Sequence, residues 1–161
     1  EDMLEFRRMI EGQAAEWAAE RATEADLTRL GQRFSALNAS FSNENMDQRS
    51  EADIAFHQAV GEAAHNALLG HLSAALLRLM HDNIRLNLGE LKTVPAAGNL
   101  LKSQHAAIYD AIIARKPQAA RAAAETHIDF VRETLAQTLR SVARRDTAAR
   151  RLSPDFSDST S

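Results

Sequence analysis

Cysteine is absent from the 161-residue chain, which excludes disulfide bonds, thiolate metal sites and cysteine nucleophiles. Any bound metal ion must therefore be held by histidine and carboxylate side chains. The sequence also has no apolar run of the roughly 18 residues that a membrane helix needs, and no signal-peptide pattern at its start. These absences predict a cytoplasmic protein with no membrane partner.

The charge balance gives the chain no excess of basic residues with which to hold nucleic acid. Lys and Arg number 19 against 22 Asp and Glu, for a net charge of -3, whereas surfaces that bind DNA are strongly cationic. Because 45% of the residues are hydrophobic and 25% are charged, the composition excludes disordered and collagen-like chains. We expect a globular domain whose own ligand is small.

Residues that interrupt helices are scarce, since the chain has only six glycines and three prolines. The remaining stretches are rich in good helix formers and predict an all-α fold, an antiparallel bundle of about six to seven helices. The predicted helices cover about Leu4–Ala22, Thr23–Leu37, Asp47–Ala64, Asn66–Leu91, Leu100–Ala114 and Pro117–Arg145, and a loop is predicted at Thr93–Asn99. Residues 1–145 are expected to form one domain of a longer protein, and residues 146–161 a frayed tail.

Histidine and aspartate interrupt the apolar faces of three predicted helices. One face of an α-helix repeats at positions i, i+4, i+7 and i+11. The third helix presents Asp53 and His57 on such a face. The fifth and sixth helices present His105 and His127 in the same way, each 11 residues from Lys116 in the intervening turn. Antiparallel packing of these two helices would bring both imidazoles to the same height in the bundle.

Convergence of these four side chains on a metal ion would satisfy polar groups that otherwise cost about 1–3 kcal/mol each when buried and unpaired. Three neutral imidazoles and one carboxylate suit a divalent ion, most of all zinc, with nickel, manganese or iron as alternatives. Two other interpretations stay open. The histidines could satisfy one another in a purely structural dimerisation bundle, and Asp53 could form a simple i, i+4 pair with His57.

The remaining three histidines lie off the inner stripes, and we predict surface or helix-end positions for His65, His71 and His81. A metal-dependent enzyme in a helical bundle is a further alternative. However, the chain lacks the paired Glu-x-x-His of dimetal bundles and the His-Glu-x-x-His of zinc proteases, and no general base stands beside the four residues. The sequence therefore predicts that the protein is not an enzyme.

The same residues belong to a longer pattern that resembles a known family. The segments Asp53-Ile-Ala-Phe-His57, Asn66-Ala-Leu-Leu69, His105-Ala-Ala-Ile-Tyr-Asp-Ala-Ile112 and His127 resemble the D-x-x-[FY]-H, N-x-[LV]-L, H-x-x-I-x-x-A-I and H pattern of the FCD domain. This FadR C-terminal-like domain is the sensor domain of GntR-family transcription regulators. Glu5-Phe-Arg7-Arg-Met-Ile-Glu11 is similar to the family's opening E-x-R-x-x-[LI]-E. The resemblance covers about Met3 to Arg145.

The resemblance implies an antiparallel bundle in which Asp53, His57, His105 and His127 hold the metal ion. It also implies a homodimer that binds DNA only through a winged helix-turn-helix domain, which precedes the FCD domain in family members and is missing from this chain. The implied function is control of DNA binding by an effector-induced change in the dimer. Asn83-Ile-Arg85-Leu-Asn87 and the basic Ser141–Leu152 stretch look like those of regulators of lactate, pyruvate and glycolate metabolism.

Two further side chains are candidates for binding a small carboxylate effector such as lactate or pyruvate. Arg7 places a cation on an otherwise apolar side of the first helix, where its guanidinium could hold a carboxylate bound at an open metal position. The alternative for Arg7 is an i, i+4 ion pair with Glu11 at the bundle edge. Asn83 lies at the end of the apolar side of the fourth helix, and its alternative is a satisfied buried amide.

Overall fold

The computed structural model describes residues 2–42, 45–80 and 97–152, and every regular element in these ranges is an α-helix. The helices are α1 (Asp2–Arg21), α2 (Glu24–Ser40), α3 (Met46–Ala63), α4 (Ala67–Leu79), α5 (Ala97–Ile113) and α6 (Pro117–Leu152). The predicted all-α bundle is confirmed. In the described part of the chain, none of these helices has the length and apolar character that crossing a membrane requires.

Side chains that were recognisable in the sequence fix where several helices begin. Thr23 caps α2 in a capping box, in which its hydroxyl accepts from the backbone N–H of Asp26 while the Asp26 carboxylate accepts from the backbone N–H of Thr23. Asn45 and Asn66 cap α3 and α4 by accepting backbone N–H groups of the first turn. Local sequence therefore fixes the residue at which each of these helices begins.

The turn between α5 and α6 is a Schellman motif. Lys116 donates its backbone N–H to the carbonyl of Ala111, and Arg115 donates to the carbonyl of Ile112. Arg115 consequently adopts a left-handed conformation with a φ of 55°, which glycine would tolerate better than arginine. Pro117 then starts α6, where its missing N–H costs nothing. This tight connection sends α6 back along α5.

Four predicted helix boundaries differ from the structure by three residues or more. Helix α2 ends at Ser40 rather than near Leu37. Helix α4 ends at Leu79 rather than near Leu91, and the rest of that predicted extension lies outside the described residues. Helix α5 begins at Ala97, so the last residues of the predicted loop are helical, because glycine and asparagine are tolerated in a first turn. Helix α6 continues beyond Arg145 to Leu152, because alanine and arginine in residues 146–152 favour helix.

A polar layer separates two apolar clusters in the middle of the bundle. On α1, Leu4 belongs to one cluster and Ala14 to the other, with Arg7 and Glu11 between them. The same order recurs on α5 and α6. His105 lies between Leu101 and Ile108 on α5, and His127 lies between Ala124 and Val131 on α6. The buried polar side chains therefore share one level, enclosed above and below by hydrophobic residues.

The Glu125 side chain of α6 packs directly against Gly12 of α1. A Cβ atom added at Gly12 would lie 3.0 Å from Cγ of Glu125, so this position accepts only glycine without a shift of the facing side chain. Ion pairs flank the contact on both sides: Arg8 binds Glu125 at 2.9 Å, and Arg121 binds Glu16 at 2.9 Å. The first and last helices of the domain are thus joined along their length.

The Schellman turn generates a stability prediction. We expect Arg115→Gly to raise the free energy of unfolding by about 1 kcal/mol, because glycine avoids the steric penalty of the left-handed conformation. Arg115→Ala is the control, since alanine also loses the distant, exposed contact with Glu24 but retains a Cβ. Urea unfolding followed by circular dichroism measures both. Equal stabilities for the two variants would contradict this account of the turn.

Candidate metal centre

Three histidines from three helices meet in the polar layer. His57 of α3, His105 of α5 and His127 of α6 are all buried, and one ligand atom from each lies within 4.8 Å of the others. The ring centroids of His105 and His127 are 4.4 Å apart, so the equal arms on either side of Lys116 do bring these two rings together. The structure therefore joins the three histidines that the apolar stripes singled out.

The fourth candidate, Asp53, reaches this group through His105. Its Oδ1 lies 3.1 Å from Nε2 of His105, and the same Nε2 lies 3.3 Å from Nε2 of His57. Ligand atoms that sit about 2.0–2.1 Å from a zinc ion are roughly 3.4 Å apart in a tetrahedron. The three imidazoles thus lie close enough together to share a coordination shell, and Asp53 contacts this group at His105, on another helix.

The outer nitrogens of two histidines determine which inner nitrogens carry a lone pair. Nδ1 of His57 lies 2.7 Å from Oε2 of Glu11, and Nδ1 of His127 lies 3.2 Å from Oε1 of Gln104. Both oxygens can only accept hydrogen bonds, which favours the tautomer with the proton on Nδ1 and the lone pair on Nε2. A carboxylate or amide behind the ligand histidine is the usual arrangement in metal sites.

The charge states in the layer also suit a cation. Burial raises the pKa of the Glu11 carboxyl, but Arg7 and His57 outweigh it and lower that pKa to about 2. Burial likewise opposes ionisation of Asp53, yet the hydrogen bond from His105 and the nearby histidine charges hold its pKa below the ordinary value. For His127, burial is the main cause of a pKa well below the usual range. Both carboxyls are therefore ionised and His127 is neutral at neutral pH.

Arg7 is buried beside this group rather than at the edge of the bundle. Only 1% of its surface is exposed, and its Nε donates to Oε1 of Glu11. The alternative ion pair therefore exists, but it lies inside the domain. The Nη2 group of Arg7 is buried and has no hydrogen-bond partner among the described residues. A buried guanidinium donor without a partner can bind an incoming acceptor such as a carboxylate.

The sequence analysis did not identify two residues that contact the histidines, Glu11 and Gln104. Glu11 was considered only as a partner for Arg7, although an acidic residue on an apolar stripe was a usable signal. Gln104 gave no signal, because it lies off the inner stripe of α5 and reaches His127 on the next helix. Both hold the ring orientation of a histidine on another element.

Two of the other histidines, His65 and His71, lie at the surface. His65 is exposed and its Nε2 lies 2.7 Å from the Asp26 carboxylate, while His71 is exposed and bonds the carbonyl of Ala67 through Nδ1. Their predicted positions outside the inner stripes are confirmed. His81 and Asn83 lie outside the described residues, so the role of Asn83 stays a prediction.

The comparisons with known proteins agree with this architecture. Residues 2–130 match the FCD domain family. The "Glc operon transcriptional activator" of Escherichia coli K12 is 31% identical over 83% of this chain and 54% of its own length. The "Putative L-lactate dehydrogenase operon regulatory protein" of the same strain is 34% identical over 83% of this chain and 50% of its own. LutR of Bacillus subtilis is 33% identical over 83% of this chain and 60% of its own length.

Solved structures show the same fold. E. coli McbR/YncC matches with a TM-score of 0.72 at 17% identity, over 86% of this chain and 64% of that one. A GntR-family regulator of Pseudomonas syringae pv. tomato matches with a TM-score of 0.73 at 16% identity, over 90% of this chain and 58% of that one.

The chain spans about half the length of the curated relatives it matches. These relatives are named as transcription regulators, which supports the prediction that the chain is not an enzyme. The match to the family runs through all six described helices, from α1 into α6. The chain therefore belongs to the FCD domain family, the effector-binding domains of GntR-family transcription regulators.

Proposed function

We propose that this domain senses a small carboxylate, such as lactate or pyruvate, at a divalent metal ion held by Asp53, His57, His105 and His127. The observation that carries the proposal is the meeting of three buried imidazoles, whose ligand atoms lie within 4.8 Å of one another, with the Asp53 carboxylate 3.1 Å from one of them, His105. Zinc suits these nitrogen and oxygen donors, and nickel, manganese and iron are the alternatives. A bound ion would supply an open position for a carboxylate oxygen.

Arg7 completes the proposed recognition of the effector. Its unpartnered Nη2 would donate to the second oxygen of the carboxylate, while Nε keeps its bond to Glu11. A charge-assisted hydrogen bond of this kind contributes about 1.5–3 kcal/mol. The name of the relative from the L-lactate dehydrogenase operon supports a small organic acid as the effector class. Asn83 is proposed as a second contact.

In the full-length protein, the domain would act on DNA indirectly. We infer a homodimer in the cytoplasm, whose DNA contacts come from an N-terminal winged helix-turn-helix domain, because a two-fold protein suits an operator with two half-sites. Binding of the acid would change the packing around the polar layer, and with it the geometry of the dimer. The matched segment makes up only 54% and 50% of the length of two of these relatives, which supports a further domain.

The metal site yields the first functional prediction. We expect His105→Ala and His127→Ala to lose most of the bound divalent metal and to unfold at lower temperature, because each removes a ligand from the shared group. His71→Ala is the matched control, since this exposed histidine bonds only its own helix. Elemental analysis of protein purified without chelator gives the metal content. Stoichiometric metal in the double variant His105→Ala/His127→Ala would rule out the assignment.

A second prediction concerns the guanidinium of Arg7. Arg7→Lys should retain metal and helical content, because an ammonium can still neutralise Glu11, yet it should bind lactate or pyruvate roughly tenfold more weakly for want of Nη2. Arg8→Lys is the control on the same helix, since Arg8 faces carboxylates of α6. Isothermal titration calorimetry gives the affinities. An unchanged affinity in Arg7→Lys would place the acid elsewhere.

The inferred homodimer can be tested directly. Sedimentation velocity at tens of micromolar protein should give the mass of two chains, and metal-loaded protein should show it with and without effector. A single species with the mass of one chain at these concentrations would contradict the dimer for this domain.

A further inference from the structure

Three charged side chains of the polar layer are closed off from water. Arg7, Glu11 and Asp53 are each at most 5% exposed, and apolar clusters lie on both sides of the layer. A net charge in such surroundings is costly, because hydrocarbon solvates an ion far less well than water does. The charges of the protein, the metal ion and the ligand therefore have to balance within the layer.

Direct contacts join these charges into one group. The two oxygens of the Glu11 carboxylate bind different partners: Oε1 accepts from Nε of Arg7, and Oε2 lies 2.7 Å from Nδ1 of His57. On the other side of His57, Nε2 lies 3.3 Å from Nε2 of His105, and that nitrogen lies 3.1 Å from Oδ1 of Asp53. An unbroken series of contacts thus runs from Arg7 through Glu11 and the imidazoles to Asp53.

One other charged side chain in the described part of the chain is buried, but its charge is met elsewhere. Arg49 on α3 donates to the backbone carbonyls of Ser40 and Phe41 at the C-terminal end of α2, and its guanidinium lies over the Phe41 ring. The carbonyls at the C-terminal end of a helix carry the negative pole of the helix dipole. The charge of Arg49 is therefore offset at the end of α2.

The described charges of the layer leave place for one negative charge on the ligand. Histidines that bind a metal ion are neutral, so Arg7, Glu11 and Asp53 together carry one negative charge. A divalent ion turns this into one positive charge, and a bound monocarboxylate then makes the group neutral. A dicarboxylate would instead leave one negative charge enclosed. Without the charge of Glu11, two positive charges would follow metal binding, and a dicarboxylate would neutralise them.

We propose that Glu11 is a specificity-determining residue, whose charge restricts the effector to acids with a single negative charge and excludes dicarboxylates. The inference rests on the proposed function, in which a divalent ion and Arg7 hold the carboxylate of the effector. Glu11 needs no contact with the ligand for this role, because charges repel one another over several ångströms in a medium of low polarity. Excluding a competitor by an unbalanced buried charge is an effective source of specificity.

A limit set by size makes a different prediction. If the site were too small for a second carboxylate, an uncharged group of the same shape would be rejected as well. Malonate and its monoamide, malonamate, form such a pair, because an amide has nearly the shape of a carboxylate but carries no charge. Glu11→Gln makes the same exchange in the protein. The two exchanges together separate charge from size.

The test measures both ligands in the wild type and in variants of Glu11, with each protein loaded with zinc and freed of excess ion. Isothermal titration calorimetry should show that the wild type binds malonamate at least about tenfold more tightly than malonate. Glu11→Gln should reverse this preference, and Glu11→Asp, which keeps the charge, should retain it. Glu62→Gln is the matched control with the wild-type preference, because it removes one negative charge from an exposed position on α3.

A second variant tests the charge balance without removing the partner of Arg7. Gln104→Glu adds a negative charge behind His127 while keeping an acceptor for Nδ1, so it should weaken the binding of lactate at least about tenfold. This measurement keeps the inference testable if Glu11→Gln does not fold. An unchanged affinity for lactate in zinc-loaded Gln104→Glu would contradict the charge balance.

Three further results would overturn the inference while the proposed function stands. They are equal affinity of the wild type for malonate and malonamate, binding of lactate by the wild type without binding of malonamate, and an undiminished preference for malonamate in Glu11→Gln. Failure of the zinc-loaded wild type to bind lactate, pyruvate or malonamate would overturn the proposed function, and the inference with it.

Discussion

The ion pair between Arg7 and Glu11 is enclosed within the bundle, where removing an ion from water costs several kcal/mol unless its partners are well placed. Glu11 meets this requirement with two partners on two helices, Arg7 beside it and His57 on α3. The second contact lies on the outer nitrogen of His57 and favours the tautomer whose lone pair is on Nε2, the nitrogen 3.3 Å from His105. When the imidazoles are neutral, Arg7, Glu11 and Asp53 together leave one negative charge in the layer, which a bound cation would compensate.

Much of the fold and part of the site follow from local rules that act within one helix or one turn. The histidines were identified by helical period alone, because a polar residue on an apolar stripe must face the interior whichever neighbour it meets. The meeting of His105 and His127 was predictable for a similar reason. A short turn that reverses the chain places residues at equal sequence distances from it at the same height in the bundle. The Schellman turn at Arg115 does this for His105 and His127.

The features that escaped prediction depend on contacts between distant segments. Glu11 lies 46 residues from His57 in the chain, and Gln104 on α5 contacts His127 on the next helix, α6. The sequence of one helix does not indicate which residue of another helix contacts the outer nitrogen of an imidazole ring. The end of α6 was predicted at Arg145, but the alanine- and arginine-rich sequence that follows stays helical to Leu152.

The close contact of α1 with α6 has a mechanical consequence. At Gly12 the two helices interlock, and the ion pairs of Arg8 and Arg121 on either side resist sliding along the contact. Tightly packed surfaces of this kind move as rigid bodies rather than deform. A displacement of Arg7 would therefore move α1 and α6 together as one body.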